Sequence, residues 1–338
     1  MPLLVLLAVA PGLMAQTTTG EVTGRVLDSS QSVIPSVVVT ITDAGTGGER
    51  RTTVTEAGAF TITFLPPGTY ALSAGAPGFK TAQTEPFSVG AGQRVQISLQ
   101  MTVADVTETV TVEGAVLPVN TEDGKIRHVI EQKQAQNLAL NGRVLTHMLA
   151  LVPGVAVVGD LNAFDITGSL GNFAVNGSRT VFNTASVDGG YNQDSGAVVG
   201  QSNLISPDFV QEVSIVTSGY SAEYGRHSGV NINFATRSGT KDLHGTVYEF
   251  FRNNALDARS FFVPGVQKLR FNNFGWTLGG PVHIPGVFNR GKNRLFFFAG
   301  QEYRRRVRDT ITFATTPTSA ERSGVINSRD RLVYPASF

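Results

Sequence analysis

At 338 residues, with 41% hydrophobic and only 16% charged residues, the chain is long enough for two or three domains and apolar enough to give each a core. Its 37 glycines favour turns and strands over helices, and the absence of cysteine excludes disulfide frameworks, thiolate metal sites and cysteine nucleophiles. The net charge of +1 hides a split, since residues 1–240 hold 12 Lys+Arg against 19 Asp+Glu and residues 241–338 hold 15 against 7, so two different environments are joined in one chain.

Residues 1–15 read as an export signal: Leu3 to Ala10 is an apolar core, and Leu13-Met14-Ala15 before Gln16 makes a cleavage site. Pro2 follows Met1 where a basic leader is expected, which points to a start further upstream or to an atypical signal. No later stretch reaches about 18 apolar residues, so any membrane crossing falls to a β-barrel.

Residues 20–102 alternate with period two. Phe60, Ile62 and Phe64 share one face, as do Val95, Ile97, Leu99 and Met101, with Val37, Val39 and Ile41 and then Tyr70, Leu72 and Ala74 behaving alike. Pro66-Pro67-Gly68 and Pro77-Gly78 separate the strands. The pattern predicts a small antiparallel β-sandwich of about seven strands. Residues 103–120 form a β-prone linker. Residues 121–239 carry the one helical pattern, with Leu138, Leu145, Leu149 and Val152 inside Ile130–Val152. Asn141-Gly142 interrupts it, which predicts two short helices ending at Pro153-Gly154.

Residues 240–338 turn barrel-like. Gly245 to Arg252 places Tyr248 and Phe250 on one face and Val247 and Glu249 on the other. Glu249 is expected to face a lumen, because a carboxylate in lipid is costly. From Phe271 to Leu278, Phe274, Trp276 and Leu278 alternate with Asn273, Gly275 and Thr277, and Leu295 to Tyr303 makes a third strand. The arginines here are interleaved with aromatics, which speaks against nucleic-acid binding. The fold class is therefore mainly β: a sandwich, an α+β domain, then the first strands of a transmembrane barrel.

Catalytic patterns fail on inspection. Gly286 and Gly291-Lys292 nearly spell a phosphate loop, but Asn293 stands where Ser or Thr is needed and a strand follows where a helix should start. His128 and Glu131 have the spacing of a zinc-ligand pair but lack a third ligand. The histidines form no cluster, and no Gly-x-Ser-x-Gly elbow occurs. No catalytic residue, metal site or cofactor is read, and the chain is not expected to be an enzyme.

Several motifs together carry a family resemblance. Gly24-Arg25-Val26, Pro35, Gly58-Ala59-Phe60, Leu65-Pro66-Pro67-Gly68-Thr69-Tyr70 and Gly78-Phe79 resemble a carboxypeptidase regulatory-like domain. That resemblance implies a transthyretin-like, carbohydrate-binding-like sandwich and no peptidase activity. Leu140-Asn141-Gly142-Arg143, Leu151-Val152-Pro153-Gly154-Val155, Val175-Asn176-Gly177-Ser178-Arg179, Ser186-Val187-Asp188-Gly189-Gly190 and Phe209-Val210-Gln211-Glu212-Val213 resemble the plug of TonB-dependent outer-membrane receptors. The run from Ser218 to Phe262 resembles the plug-to-barrel junction of the Oar-like subgroup.

The resemblance implies a plug within residues 121–239, filling a barrel of about 22 strands that starts at residue 240. The protein would then sit in the outer membrane with its N-terminal domains in the periplasm. Residues 241–338 hold only three to five strands of about 10 residues, so an N-terminal fragment is expected. Thr107, Glu108, Thr109, Val110, Thr111 and Val112 resemble a TonB box, captured by strand addition; one more strand of the sandwich or linker is the alternative. Tyr220, Glu223, Tyr224 and Arg226 read as a latch between plug and barrel wall, or as ordinary packing of the last plug strand.

Asn253 to Arg270 reads as a long outer connection and Ile284 to Lys292 as a short periplasmic one. This places Arg304, Arg305, Arg306 and Arg308 near the outer leaflet, against lipid and lipopolysaccharide phosphates or at a solvated loop edge. The implied function is TonB-powered uptake of an unknown extracellular substrate, carbohydrate being one candidate. A surface-adhesion or sugar-binding protein and a protein-export channel are the alternatives.

Overall fold

The computed structural model describes residues 19–103, 109–112, 124–159, 168–194, 196, 199–220, 224–225, 228–259, 265–309, 317 and 322. The sandwich is built from β1 (Gly20–Asp28), β2 (Val38–Asp43), β3 (Glu49–Thr53), β4 (Ala59–Leu65), β5 (Gly68–Gly75), β6 (Thr81–Thr84), β7 (Phe87–Val89) and β8 (Arg94–Met101). One sheet has the order β4-β1-β8. The other runs β3-β2-β5-β6, carries β7 on β5, and ends in β9 (Thr109–Val112). Val95, Ile97, Leu99 and Met101 of β8 face Val39 and Ile41 of β2 and Tyr70, Leu72 and Ala74 of β5 in one buried cluster, as period-two alternation requires.

The sandwich departs from expectation in three ways. Eight strands, not seven, lie between Gly20 and Met101. Two pairings are parallel, β1 with β8 and β6 with β9, because the chain returns to each neighbour only after a long excursion through the other sheet. Phe64 leaves the core face: it is 62% exposed with φ 58°, and Leu65 takes the buried place. Gly20 pairs with Leu65 and Val22 with Ile62, so an extra residue sits in β4 as a bulge. The Arg50 guanidinium holds it by donating to the carbonyls of Thr63 and Phe64 at 3.0 and 2.9 Å.

The next domain contains β10 (Ile126–Glu131), α1 (Gln132–Asn137), β11 (Val155–Val157), β12 (Phe173–Val175), β13 (Thr184–Val187), β14 (Gly190–Tyr191), β15 (Val210–Ser218) and β16 (Asn231–Thr236). Its main sheet has the order β10-β15-β16-β13-β14, and β11 pairs with β12. Phe173, Ile215, Ile232 and Phe234 pack against Met148, Leu149 and Leu170. The two predicted helices are replaced by one short α-helix and two 3-10 segments, Asn141–Arg143 and Leu145–Leu151, while Ile130 belongs to β10. Gly142 and Arg143 adopt φ values of 67° and 57°, which stops any α-helix there. The three-residue repeat of the second segment then turns Leu145 and Met148 inward together.

Asn183, buried in this domain, ties distant segments together. Its Nδ2 donates to the carbonyls of Leu170 and Phe173 at 3.0 and 2.8 Å, and its Oδ1 accepts from Val230 N at 3.0 Å.

The last sheet runs β17 (His244–Asn253), β18 (Leu269–Pro281), β19 (Phe296–Arg308), and it does not close on itself among the described residues. β18 alternates as expected: Phe274, Trp276 and Leu278 are 38–39% exposed, whereas Asn273 and Thr277 are 0% and 3% exposed. At 13 residues, β18 and β19 are each long enough to cross a bilayer at a tilt. No helix among the described residues is long and apolar enough to cross a membrane, which leaves strand crossing untouched.

Three expectations for this sheet change. β19 continues past Tyr303, so Arg304, Arg305, Arg306 and Arg308 are strand residues and not a loop edge. The ladder is still paired at Asp309, whose N–H donates to Lys268 O at 3.1 Å. The two connections, residues 254–268 and 282–295, are of nearly equal length, so loop length does not say which end faces outward. Finally, a Cβ on Gly245 would lie 3.3 Å from Leu278 on the exposed face. Strand alternation then puts Glu249 on the outer side. His244 sets this phase: it packs against Gly279 on the inner side and bonds Asp242 O at 3.0 Å.

The chain divides into two compact units, Met1–Val247 with Trp276–Glu302, and Tyr248–Gly275 with Tyr303–Phe338. Within the second, the rings of Phe274 and Tyr303 stack at 5.4 Å and Arg252 pairs with Asp257 at 3.2 Å.

Candidate functional site

Two sets of contacts hold the middle domain inside the first unit. The first faces β19. Ser206 accepts from Asp208 N at the start of the 3-10 turn Pro207–Phe209 and donates its own hydroxyl proton to Glu302 at 2.6 Å. Asp208, buried, pairs with Arg143 and accepts from Gln136 at 3.3 Å. Burial pushes its carboxyl above the usual range, with Arg143 pulling the other way more weakly. Arg237 donates to Asp208 O at 3.3 Å and lies over the Phe298 ring at 5.1 Å. Phe209 meets the same ring edge-on at 6.4 Å. Just beyond, backbone touches backbone: a Cβ on Gly239 would lie 2.2 Å from Phe297 O and 2.7 Å from Gly280 O, so only glycine fits where the chain passes into β17.

The second set faces the sandwich. Glu212 on β15 accepts from Arg127 of β10 at 3.1 Å and from Ala91 N of the β7–β8 turn at 3.1 Å. A Cβ on Gly90 would lie 2.4 Å from the Arg127 guanidinium and 2.8 Å from the Glu212 carboxylate, so a larger residue there would have to displace this ion pair. Burial raises the Glu212 carboxyl, outweighing Arg127 and the Ala91 N–H. Beside this clasp opens a cleft of 1290 Å³ with Glu85, Arg127, Glu131, Lys133 and Glu212 on its walls, a lining that suits water and polar chains.

The sequence-predicted residues lie elsewhere. The Tyr220 hydroxyl donates to Gly229 O and contacts Thr217 O at 3.1 Å, both within the middle domain. Lys125 sits 5.9 Å from the Tyr224 ring centre. Glu223 and Arg226 fall outside the described residues. Of the six TonB-box positions, Thr109, Val110, Thr111 and Val112 form β9, paired in parallel with Thr81, Ala82, Gln83 and Thr84. Thr107 and Glu108 fall outside the described residues. Sequence reasoning missed Asp208, Arg237, Phe298 and Glu302. The available signal was single charges set inside apolar runs, such as Asp208 before Phe209-Val210 and Glu302 after Phe296-Phe297-Phe298.

Comparison with known proteins fits this layout. Residues 21–102 match the carboxypeptidase regulatory-like domain, 122–230 the TonB-dependent receptor plug domain, and 235–337 an outer membrane beta barrel domain. The TonB-dependent transporter Oar of Myxococcus xanthus is 29% identical over 316 residues, a match covering 86% of this chain and 28% of Oar. Domain for domain, this chain has the parts of a TonB-dependent outer-membrane receptor: the regulatory-like sandwich, the plug and barrel strands. The matched plug and barrel domains are those of outer-membrane β-barrel receptors. The chain spans little more than a quarter of the length of Oar.

Among solved structures, the siderophore receptor PirA of Acinetobacter baumannii shares 18% identity at a TM-score of 0.40, over 53% of this chain and 24% of PirA. The ferric enterobactin receptor PfeA of Pseudomonas aeruginosa shares 15% at 0.38, over 55% and 26%. The middle domain thus corresponds to the residues that match the plug, and β19 lies within those that match the barrel domain.

Proposed function

We propose that this chain is the plug-bearing part of a receptor that takes up a large or scarce substrate through the outer membrane, powered by TonB from the periplasm. Residues 20–102 are the sandwich, 103–120 the linker with the TonB box, 121–239 the plug and 240–338 the first staves. The observation that carries the reading is how the plug is fastened. Among the described residues its contacts include the Ser206–Glu302 hydrogen bond and the Arg237–Phe298 and Phe209–Phe298 ring contacts, of kinds that can part and re-form. A permanent wall joint would be expected to bury a continuous apolar seam.

TonB would capture residues 107–112 as an added strand, and force would travel through the linker to β10. In the full-length receptor, Thr109→Pro removes a strand donor and is expected to abolish energised uptake while leaving substrate binding intact. Uptake at the wild-type rate would sink this reading.

A further inference from the structure

The larger sheet of the sandwich ends in a strand from outside the domain. β9 lies in the linker, beyond the matched residues 21–102, yet it continues the order β3-β2-β5-β6-β9. Its register on β6 is unbroken, Thr81 opposite Thr109 through Thr84 opposite Val112. The inner side of β9 is therefore used, and among the described residues its outer side has no neighbouring strand.

The two ends of this sheet are treated differently. β3, at one end, is Glu49-Arg50-Arg51-Thr52-Thr53, with charges of the kind that keep a foreign strand from adding. Arg51 pairs with Glu49 there, and Arg50 covers the carbonyls of Thr63 and Phe64 on the neighbouring β4. β9, at the other end, is Thr109-Val110-Thr111-Val112. It has no charge, no proline and no bulge, and its residues favour extended backbone. One end is guarded and the other is left open.

We infer that the sandwich is a docking platform: it holds residues 109–112 extended on β6 so that the partner's strand adds to the outer edge of β9 and continues the sheet. The partner is a protein that binds by strand addition, which is TonB under the function proposed above, and the inference rests on that reading. A free linker segment must lose backbone freedom when captured; a segment already laid on β6 has lost it beforehand. The sandwich thereby strengthens capture without itself touching the substrate.

A disulfide tests this. Gln83 and Thr111 are directly paired, and neighbouring strands lie about 4.8 Å apart, within disulfide reach. The 338 residues contain no cysteine to compete. In the full-length receptor, Gln83→Cys with Thr111→Cys is oxidised, and its affinity for the periplasmic domain of TonB is compared with that of the reduced form. Binding that is unchanged or tighter, up to about tenfold, is the expected result. A loss of tenfold or more on oxidation, reversed by reductant, would mean that β9 must leave β6 to be captured, and the platform would be overturned. A synthetic peptide of residues 107–112 separates the two readings. If it competes for TonB while the oxidised receptor does not bind, only the platform fails; if it does not compete and Thr109→Pro is harmless, the TonB-box assignment itself fails.

Discussion

The sandwich and the plug have cores of similar extent but opposite character. Among its described residues the sandwich buries few polar groups, chiefly Thr84, whose hydroxyl accepts from Leu72 N at 3.0 Å, and Tyr70, whose hydroxyl donates to Pro66 O at 2.7 Å. The plug buries Asn183, Asn192, Gln193, Asp208, Glu212 and Asn231 among its apolar residues. A dry core resists opening because water has nothing to offer it. A core stitched by amides and carboxylates loses less when water enters, since water replaces those bonds at nearly equal strength. Water entry should therefore cost the sandwich core more than the plug core.

The comparison breaks most sharply at a charge. Asp208→Ala removes the buried carboxylate that pairs with Arg143 and accepts from Gln136, and is expected to cost about 3–5 kcal/mol, appearing as lost hydrogen-exchange protection in α1 and β15 with the sandwich unaffected. Next comes a matched pair. Leu72→Ala should cost the sandwich about 2–5 kcal/mol through an unfilled cavity. Asn183→Ala should cost the plug less, about 1–3 kcal/mol, because water can enter and satisfy Leu170, Phe173 and Val230. Equal losses in domain-resolved exchange would remove the distinction between dry and wet cores.

The smallest effect is on pH dependence. Burial raises the Asp208 and Glu212 carboxyls, so their contribution to stability is full below the ordinary carboxylate pKa of about 4 and is lost as pH rises through the raised values. Glu212→Gln lacks this dependence. The stability of the wild type relative to this variant should therefore fall as pH rises above about 4, read by exchange in β10. A gap that widens over that range would reverse the sign.

The same contrast explains what the sequence revealed. Alternation in β8 and β18 maps directly onto buried and exposed faces, because each strand has one dry side. The Phe64 bulge was hidden, since it depends on a left-handed backbone and on Arg50 reaching from another strand. The plug's 3-10 turns were hidden by leucine spacing that serves helix and turn alike. The fastening to β19 was hidden for a plainer reason: Ser206 and Glu302 are 96 residues apart, and nothing local to either names the other. Tyr220 and Tyr224 stood out by composition, whereas Arg237 and Phe298 acquire meaning only in contact.

The strand order of the plug sheet has a mechanical consequence. β10, the first plug strand after the linker, lies at the edge of β10-β15-β16-β13-β14, antiparallel to β15. Its leading residue, Ile126, sits at the far end of that ladder, opposite Ser218. Tension between the N-terminal side and the Gly239 end would therefore run along the strands and load the β10–β15 hydrogen bonds together, in shear. β15 lies between β10 and β16, and β16 runs on to the bare-backbone crossing at Gly239. The ladder between β10 and β15 is thus the element that bears such a load, and the Gly239 crossing keeps β16 joined to β17.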